Sequence, residues 1–189
     1  GEFDLHGRPH RPRGPAHSIR SGIGLLTADR KRTGLVLGLS LRENITLSSL
    51  GRHSPGGILS RRREREAAGR HVSTLRIRAF GQEQEVRELS GGNQQKVALA
   101  KCLEPAPRIL LLNEPTRGVD VGAKTEIHAL IRELAGQGMA ILVLSTELPE
   151  LLSLSDRVVV MHRGRVSATL SGTEATSERV IAAAMGSHA

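Results

Sequence analysis

The feature that most constrains the fold is the alternation of short apolar runs with helix-length stretches after residue 89. Residues 108–112 and 140–145 are strand-sized and almost wholly aliphatic, and helical stretches are predicted at 93–103 and 122–135. Proline or glycine follows each of these helical stretches. Apolar strands that alternate with helices are typical of a mainly parallel sheet covered on both faces. The sequence therefore predicts an α/β fold in which both runs are buried strands.

The rest of the chain departs from this alternation. Residues 40–88 are charged and compatible with helices, above all at 59–77, and they interrupt the sheet pattern like an inserted subdomain. Short strands are predicted at 1–5 and 22–27, and a hairpin at 158–162 and 165–170 around Arg163-Gly164. A last helix is predicted at 177–185.

Composition excludes several classes of protein. No apolar run approaches the roughly 18 residues of a membrane helix, so we expect a soluble, intracellular chain. The net charge of +8 comes mainly from arginine, but the chain has no Trp or Tyr to stack on bases, and we expect no nucleic-acid partner. The one cysteine, Cys102, excludes an internal disulfide, and the scattered histidines predict no metal site.

Residues 89–96 form the first of three motifs that carry chemistry. Ser90, Gly91 and Gly92 precede a predicted helix, so a hydroxyl and bare backbone N–H groups lie at its N-terminus. The helix dipole favours an anion at that position. A serine N-cap followed by a glycine turn would give the same pattern without any ligand. This motif alone therefore leaves both interpretations open.

The second motif is the apolar strand at 109–112 that ends in Asn113-Glu114-Pro115-Thr116. Ligands of open α/β sheets bind at the carboxyl ends of the strands, where Glu114 could orient or deprotonate an attacking water. The third motif is the tight connection at 117–120, which leads into the next helix. A polar strand end is common for any single residue, so the three motifs carry weight only in combination.

In this order the three motifs resemble those of ABC-type ATP-binding domains. Residues 89–96 look like the signature motif, residues 110–115 like a Walker B strand with its catalytic glutamate, and Gly118, Val119 and Asp120 like the D-loop. Residues 29–35, 41–44 and 114–124 are similar to the second ATP-binding domain of ribose-, galactose- and xylose-type sugar importers. The resemblance extends over about residues 1–185.

The resemblance implies a RecA-like core of the P-loop NTPase fold at residues 1–39 and 90–189, with an α-helical subdomain at 40–89. It also implies that two such domains sandwich ATP and Mg²⁺ head to tail, each ATP lying between the phosphate loop of one domain and the signature motif of the other. The implied signature contacts are Leu89, Ser90, Gly91, Gly92, Asn93 and Gln94. Partners of the family are a membrane permease at the cytoplasmic face of the cell membrane and, indirectly, a sugar-binding protein.

The sequence departs from the family pattern at one nucleotide site. The phosphate-loop motif G-x-x-x-x-G-K-[ST], which holds the β- and γ-phosphates, does not occur. Ala28 stands at the Q-loop position and Thr146 at the switch-histidine position. Asn113 stands at the position of the Walker B aspartate, where an amide keeps the shape of a Mg²⁺ ligand without its charge. The chain therefore looks truncated at its N-terminus, just after the phosphate loop.

We hypothesise that the chain does not bind and hydrolyse ATP alone but completes a partner's site through its signature motif. The family's phosphate-loop strand lies between the strands that match 140–144 and 158–161, so its loss would leave both open on one side and the isolated chain poorly soluble. Two alternatives stay open: a truncated relic without a role, and a soluble ABC protein that acts on ribosomes or nucleic acid.

Overall fold

The computed structural model describes residues 4–5 and 7–186, and the strands of this part form three sheets. A short antiparallel pair, β1 (Asp4–Leu5) and β2 (Arg8–Pro9), precedes helix α1 (Pro15–Arg20). The central sheet is parallel and has the order β3 (Ile23–Leu26), β4 (Ile109–Asn113), β5 (Ala140–Leu144). This sheet confirms the predicted α/β class. Of the strand predicted at 1–5, residues 1–3 lie outside the described residues.

The segment between β3 and the signature motif is helical. A π-helical turn (Arg30–Gly34) is followed by α2 (Leu41–Thr46), α3 (Arg61–Thr74) and 3-10 turns at Leu47–His53, Pro55–Gly57 and Val86–Glu88. Ser40 and Glu43 form a capping box that begins α2. Ser40 also forms an isolated bridge with Glu85, so the two ends of the helical segment meet. Helix α3 is shorter than the predicted 59–77 because Ser60 caps its start and it ends at Thr74, just before Arg76 with a φ of +51°.

One hydrophobic core joins the sheet to the helices. Helices α4 (Gly91–Leu103) and α5 (Val121–Gly136) pack on the face of the sheet that carries the buried Leu110 and Leu112. Leu41 and Ile45 of α2 belong to the same buried cluster, so the helical segment shares its core with the sheet. Within residues 4–5 and 7–186, no helix combines the length and hydropathy that a membrane crossing requires.

The opposite face of the central sheet carries exposed apolar side chains. The strand register places Leu25, Leu111 and Leu142 side by side on this face, and Leu25 and Leu142 are each 55% exposed. The prediction that the strand at 140–145 is buried is therefore wrong. Alternate residues of β5 are exposed because, in the described part of the chain, β5 has a neighbour on one side only and this face lacks a packed cover.

A hairpin and two helices complete the described chain. Helix α6 (Leu148–Leu154) leads to β6 (Arg157–His162) and β7 (Arg165–Ser171), and α7 (Ser177–Ala184) packs on the hairpin. Arg163 and Gly164 both have positive φ, as a two-residue type I′ turn requires, so the predicted hairpin is confirmed. Among the described strands, β6 pairs only with β7 and β5 only with β4. Both strands are thus open on one side, as expected.

Candidate functional site

The parallel sheet gathers four of the predicted site residues at one edge. Strands β3, β4 and β5 are adjacent and run in the same direction, so the segments that follow them begin at the same edge. Ala28 follows β3, Asn113 ends β4 with Glu114 next to it, and Thr146 follows β5. The Glu114 N–H donates to the Leu144 carbonyl at 2.8 Å, which continues the β4–β5 ladder past the end of β4.

Glu114 is held in a fixed orientation at this edge. Its φ is +52°, a value that is uncommon for residues other than glycine and that recurs at functional sites. Its carboxylate oxygen Oε1 accepts a hydrogen bond from the Thr146 N–H at 2.9 Å. The predicted catalytic base and the switch position are therefore in direct contact. A carboxylate held through one oxygen can still accept a proton from water at the other.

The signature loop is the N-cap of α4. Ser90 Oγ accepts hydrogen bonds from the N–H of Asn93 at 3.4 Å and from its side-chain amide at 3.0 Å. Ser90 is exposed, whereas Leu89 and Gln94 are buried. The Gln94 amide donates to the carbonyls of Val86 and Leu89 at 3.2 Å and 3.1 Å. Leu89 and Gln94 thus hold the loop from inside, and Ser90 lies at the surface.

Gly91 and Gly92 allow α4 and α5 to approach each other at their N-termini. A Cβ atom on Gly91 would lie 2.9 Å from Arg30 Nη2 and 3.1 Å from the Gly118 carbonyl oxygen. A Cβ atom on Gly92 would lie 2.5 Å from the Cβ of Ala123. Packing therefore requires glycine at position 92, whereas a Cβ atom at position 91 would need only a small shift of Arg30 and Gly118. The result is two adjacent helix N-termini, whose dipoles both favour an anion.

Asp120 and Arg30 fix the D-loop against the signature loop. Asp120 is the N-cap of α5, and its carboxylate accepts a hydrogen bond from the Ala123 N–H at 2.9 Å. This hydrogen bond lowers the pKa of the Asp120 carboxyl group. Arg30 donates to the carbonyls of Arg117 and Gly118 at 2.6 Å and 3.0 Å. Partial burial lowers the pKa of the Arg30 guanidinium. No motif in the sequence predicts a site role for Arg30, although it lies in the importer-like stretch at 29–35.

A buried carboxylate connects the loops after β4 and β5. Glu150 on α6 is 1% exposed and accepts from the Thr116 hydroxyl at 2.6 Å, and His128 Nε2 lies 2.9 Å from the same oxygen. Burial raises the pKa of Glu150, but hydrogen bonds from Ser145, Thr116 and His128 outweigh it, so the net shift is downward. This contact could not be predicted from the sequence, because a glutamate on a short helix resembles any exposed residue.

The residues at this edge fit a nucleotide better than a tightly bound metal ion. The described residues contain no group of three His, Cys, Asp or Glu that could hold a metal. Magnesium that binds together with a nucleotide needs only one or two protein ligands, because phosphate oxygens and waters supply the rest. The side chains of Asn113 and Glu114 meet that requirement. Together they carry one negative charge, where a pair of carboxylates would carry two. The paired helix N-termini fit the phosphate end of a second nucleotide.

Comparisons with known proteins identify relatives over nearly the whole chain. The profile of the ABC transporter family matches residues 1–117. The ribose import ATP-binding protein RbsA of Bacillus subtilis is 45% identical over 186 residues, which are 98% of this chain and 38% of that protein. A ribose import ATP-binding protein of Rubrobacter xylanophilus is 50% identical over 186 residues, 98% of this chain and 36% of that protein. The chain thus spans well under half the length of these relatives.

Solved structures have the same fold. A nucleotide-free ATP-binding cassette from an ABC transporter matches with a TM-score of 0.74 at 19% identity, over 94% of this chain and 72% of that one. A dimeric ATP-binding cassette in a post-hydrolysis state, bound to ADP and Pi, matches with a TM-score of 0.71 at 20% identity, over 88% of this chain and 71% of that one. These matches establish the P-loop NTPase fold. From the family profile and the identity to its relatives, the chain belongs to the ABC transporter family.

Proposed function

We propose that the chain is part of the ATP-binding component of an ABC-type monosaccharide importer, and that it supplies the signature loop, the Walker B glutamate and the D-loop. The observation that carries this proposal is the close packing of Gly91 on Gly118 and of Gly92 on Ala123 of α5, which places two helix N-termini side by side. The names of the relatives, which are ribose import ATP-binding proteins, support the substrate class.

The signature loop would act on a nucleotide held by another domain. In this proposal the Ser90 hydroxyl and the N–H groups of Gly91, Gly92 and Asn93 donate to phosphate oxygens of ATP on a partner's phosphate loop. The positive end of the α4 dipole stabilises the phosphate charge. The buried Leu89 and Gln94 keep the loop in shape rather than contact the nucleotide. Gly118, Val119 and Asp120 line the same interface, and Arg30 holds their loop in place.

The chain's own nucleotide site is the weaker of the two. Glu114 would orient the attacking water and accept its proton, and Asn113 would hold Mg²⁺, which neutralises phosphate charge when bound. Ala28 and Thr146 add neither a charge nor a carboxamide at the Q-loop and switch positions, and the sequence has no phosphate-loop motif. We therefore propose that the chain does not hydrolyse ATP alone.

The assembly that follows is a head-to-tail pair of ABC ATP-binding domains on the cytoplasmic face of a membrane permease, which receives its sugar from a binding protein. A pairing of this kind is consistent with the dimeric state of one structural neighbour. We propose residues 40–89 as the subdomain that contacts the permease, because they form a helical segment whose ends meet at the Ser40–Glu85 bridge.

ATP turnover by a mixture tests this function. The partner is an importer ATP-binding domain that has a phosphate loop but carries arginine at its own signature serine. We expect the mixture to hydrolyse ATP faster than the two proteins measured separately, and Ser90→Arg to lower that turnover by about two orders of magnitude. Ser73→Arg, on the exposed side of α3, is the control and should change nothing. An ATP turnover of the mixture equal to the summed turnover of the two separate proteins would contradict the proposal.

A further inference from the structure

The start of helix α3 carries a concentration of positive charge on its surface. Residues 61–70 contain five arginines and two glutamates, and all five arginines are exposed. Glu64 is buried and accepts a hydrogen bond from Arg42 at 2.8 Å, so its charge is matched inside the molecule. The surface of this segment therefore has an excess of positive charge.

Folding does not account for these arginines. Arg62 and Arg65 pair with exposed glutamates at 3.2 Å and 3.3 Å, and exposed ion pairs of this kind contribute little stability. Arg61, Arg63 and Arg70 form no ion pair within the part of the chain that the structure describes. Three of the arginines also occupy the first turn of α3, where the helix dipole disfavours cations. An anionic partner would explain what the fold does not.

Exposed apolar side chains come directly before these arginines. Ile58 and Leu59 are 78% and 46% exposed, and the exposed segment 55–59 contains no charged residue. Ser60, which follows them, caps α3 through its side chain, so the apolar pair lies at the end of the helix where the arginines begin. Apolar and cationic side chains thus form one continuous surface, the α3 patch, which consists of Ile58, Leu59, Arg61, Arg62 and Arg63.

We propose that the α3 patch binds directly to the surface of a lipid bilayer that contains anionic lipids. Guanidinium groups donate two parallel hydrogen bonds to phosphate oxygens, and clustered arginines are attracted to the negative potential of such a surface. Ile58 and Leu59 would enter the boundary between headgroups and acyl chains, where their exposed apolar surface leaves water. Both halves of the patch therefore suit the same partner.

A nucleic acid fits the α3 patch less well. Proteins that bind single strands combine basic side chains with aromatic ones that stack on bases, and residues 55–70 contain no Phe, Trp or Tyr. A phosphate backbone would also leave Ile58 and Leu59 in water. Binding to lipid needs neither ATP nor a second protein domain, so this proposal does not rest on the proposed function and can fail or succeed separately from it.

Flotation of the whole chain with lipid vesicles in a density gradient tests the proposal. Vesicle-bound protein rises in the gradient whereas aggregated protein sinks, so the two are not confused. The probes are vesicles of phosphatidylcholine alone and vesicles in which about a third of the lipid is phosphatidylserine. We expect the chain to bind the anionic vesicles at least about tenfold more tightly, and this preference to disappear at about 1 M salt, where charges are screened within about 3 Å.

A pair of double variants tests the charged half of the patch. Arg61→Gln with Arg63→Gln should weaken binding to the anionic vesicles by about 30-fold. Its urea midpoint should not fall, because the substitutions remove cations from the first turn of a helix. Arg8→Gln with Arg11→Gln is the control: it lowers the net charge equally in a second exposed arginine cluster, which has no exposed large apolar side chain among residues 7–20. The control should leave binding unchanged.

A pair of single variants tests the apolar half. Ile58→Ser should weaken binding to the anionic vesicles by about tenfold, because the side chain no longer leaves water on binding. Ile181→Ser alters another exposed isoleucine, 51% exposed on α7, and should leave binding unchanged.

Three results would overturn the proposal. The first is equal flotation with the two kinds of vesicle at about 0.1 M salt. The second is equal weakening by the two double variants, which would reduce vesicle binding to an effect of net charge. The third is tighter binding of a single-stranded RNA that is lost in Arg61→Gln with Arg63→Gln but kept in Ile58→Ser, which would assign the arginines to nucleic acid.

Discussion

At the scale of single residues, the glycine at position 92 is set by packing as much as by ligand access. Gly92→Ala would place a methyl group 2.5 Å from Ala123, and we expect it to destabilise the fold by about 1–3 kcal/mol, the usual cost of overpacking. Gly136→Ala is the matched control, since a Cβ atom there meets nothing within 4 Å and it lies in a helix. Urea unfolding measures the stability of both variants. Equal midpoints for the two variants would show that the approach of α4 to α5 does not need glycine.

The carboxylate of Glu83 makes stability depend on pH. Its hydrogen bond from Arg42 lowers the pKa of Glu83 from 4.5 to about 2. A carboxyl group whose pKa is lower in the folded than in the unfolded state stabilises the fold at any pH above its unfolded-state pKa. This stabilisation is lost as the pH falls through the folded-state pKa. We expect the free energy of unfolding to fall between pH 4.5 and 2 and to fall less steeply in Glu83→Gln. Urea unfolding at a series of pH values measures the free energy of unfolding of both proteins. The same dependence on pH in the unmodified chain and in Glu83→Gln would contradict this expectation.

Single residues differ in how far the sequence could predict them. The positions of Glu114, Ser90 and Asp120 follow from short motifs, because a strand end or a helix start is a local feature. The contact of Arg30 with Arg117 links residues 87 positions apart, and no spacing in the sequence reports it. The same holds for Thr116 and Glu150, which are 34 positions apart. Contacts of this kind depend on the packing of elements and need the structure.

At the scale of elements, Glu150 ties α6 to the loops that follow β4 and β5. Glu150→Ala would leave Thr116 and Ser145 without their buried acceptor, and we expect a loss of about 1–3 kcal/mol in stability. Amide exchange of Thr116 and Thr146 should become faster as these loops loosen. Glu147→Ala, which removes a half-exposed ion pair with Lys124, is the control and should have little effect. Similar exchange rates in the two variants would contradict a bracing role for Glu150.

Most elements could be predicted because their periodicity and end signals agree. The helix predicted at 93–103 is α4 (Gly91–Leu103), and the one at 122–135 is α5 (Val121–Gly136). Burial of β5 could not be predicted in the same way, since an apolar run reports hydrophobicity and not whether a neighbour is present. The π-helical turn Arg30–Gly34 was also missed, because its residues carry no helical apolar periodicity and Asp29 caps it through a local side-chain bond.

At the scale of the whole molecule, the open strands predict self-association. Unpaired edges lined by apolar side chains favour aggregation, so we expect the isolated chain to elute as more than a monomer in size-exclusion chromatography. Met161→Lys, on the side of β6 that lines the space between β5 and β6, should increase the monomer fraction. Val166→Lys changes a side chain of β7 that does not line this space and has a similar exposure, 61% against 63%, and should leave the monomer fraction unchanged. A clean monomer for the unmodified chain would contradict this expectation.

In the proposed assembly this chain contributes one half of a nucleotide site, and a second domain must supply the phosphate loop. Equilibrium binding of a non-hydrolysable ATP analogue to the purified chain tests it most directly. We predict that the chain alone shows no saturable binding of the analogue. Binding should appear once a domain with a phosphate loop is added, and Ser90→Arg should weaken it. Tight, stoichiometric binding of the analogue by the chain alone would contradict the claim.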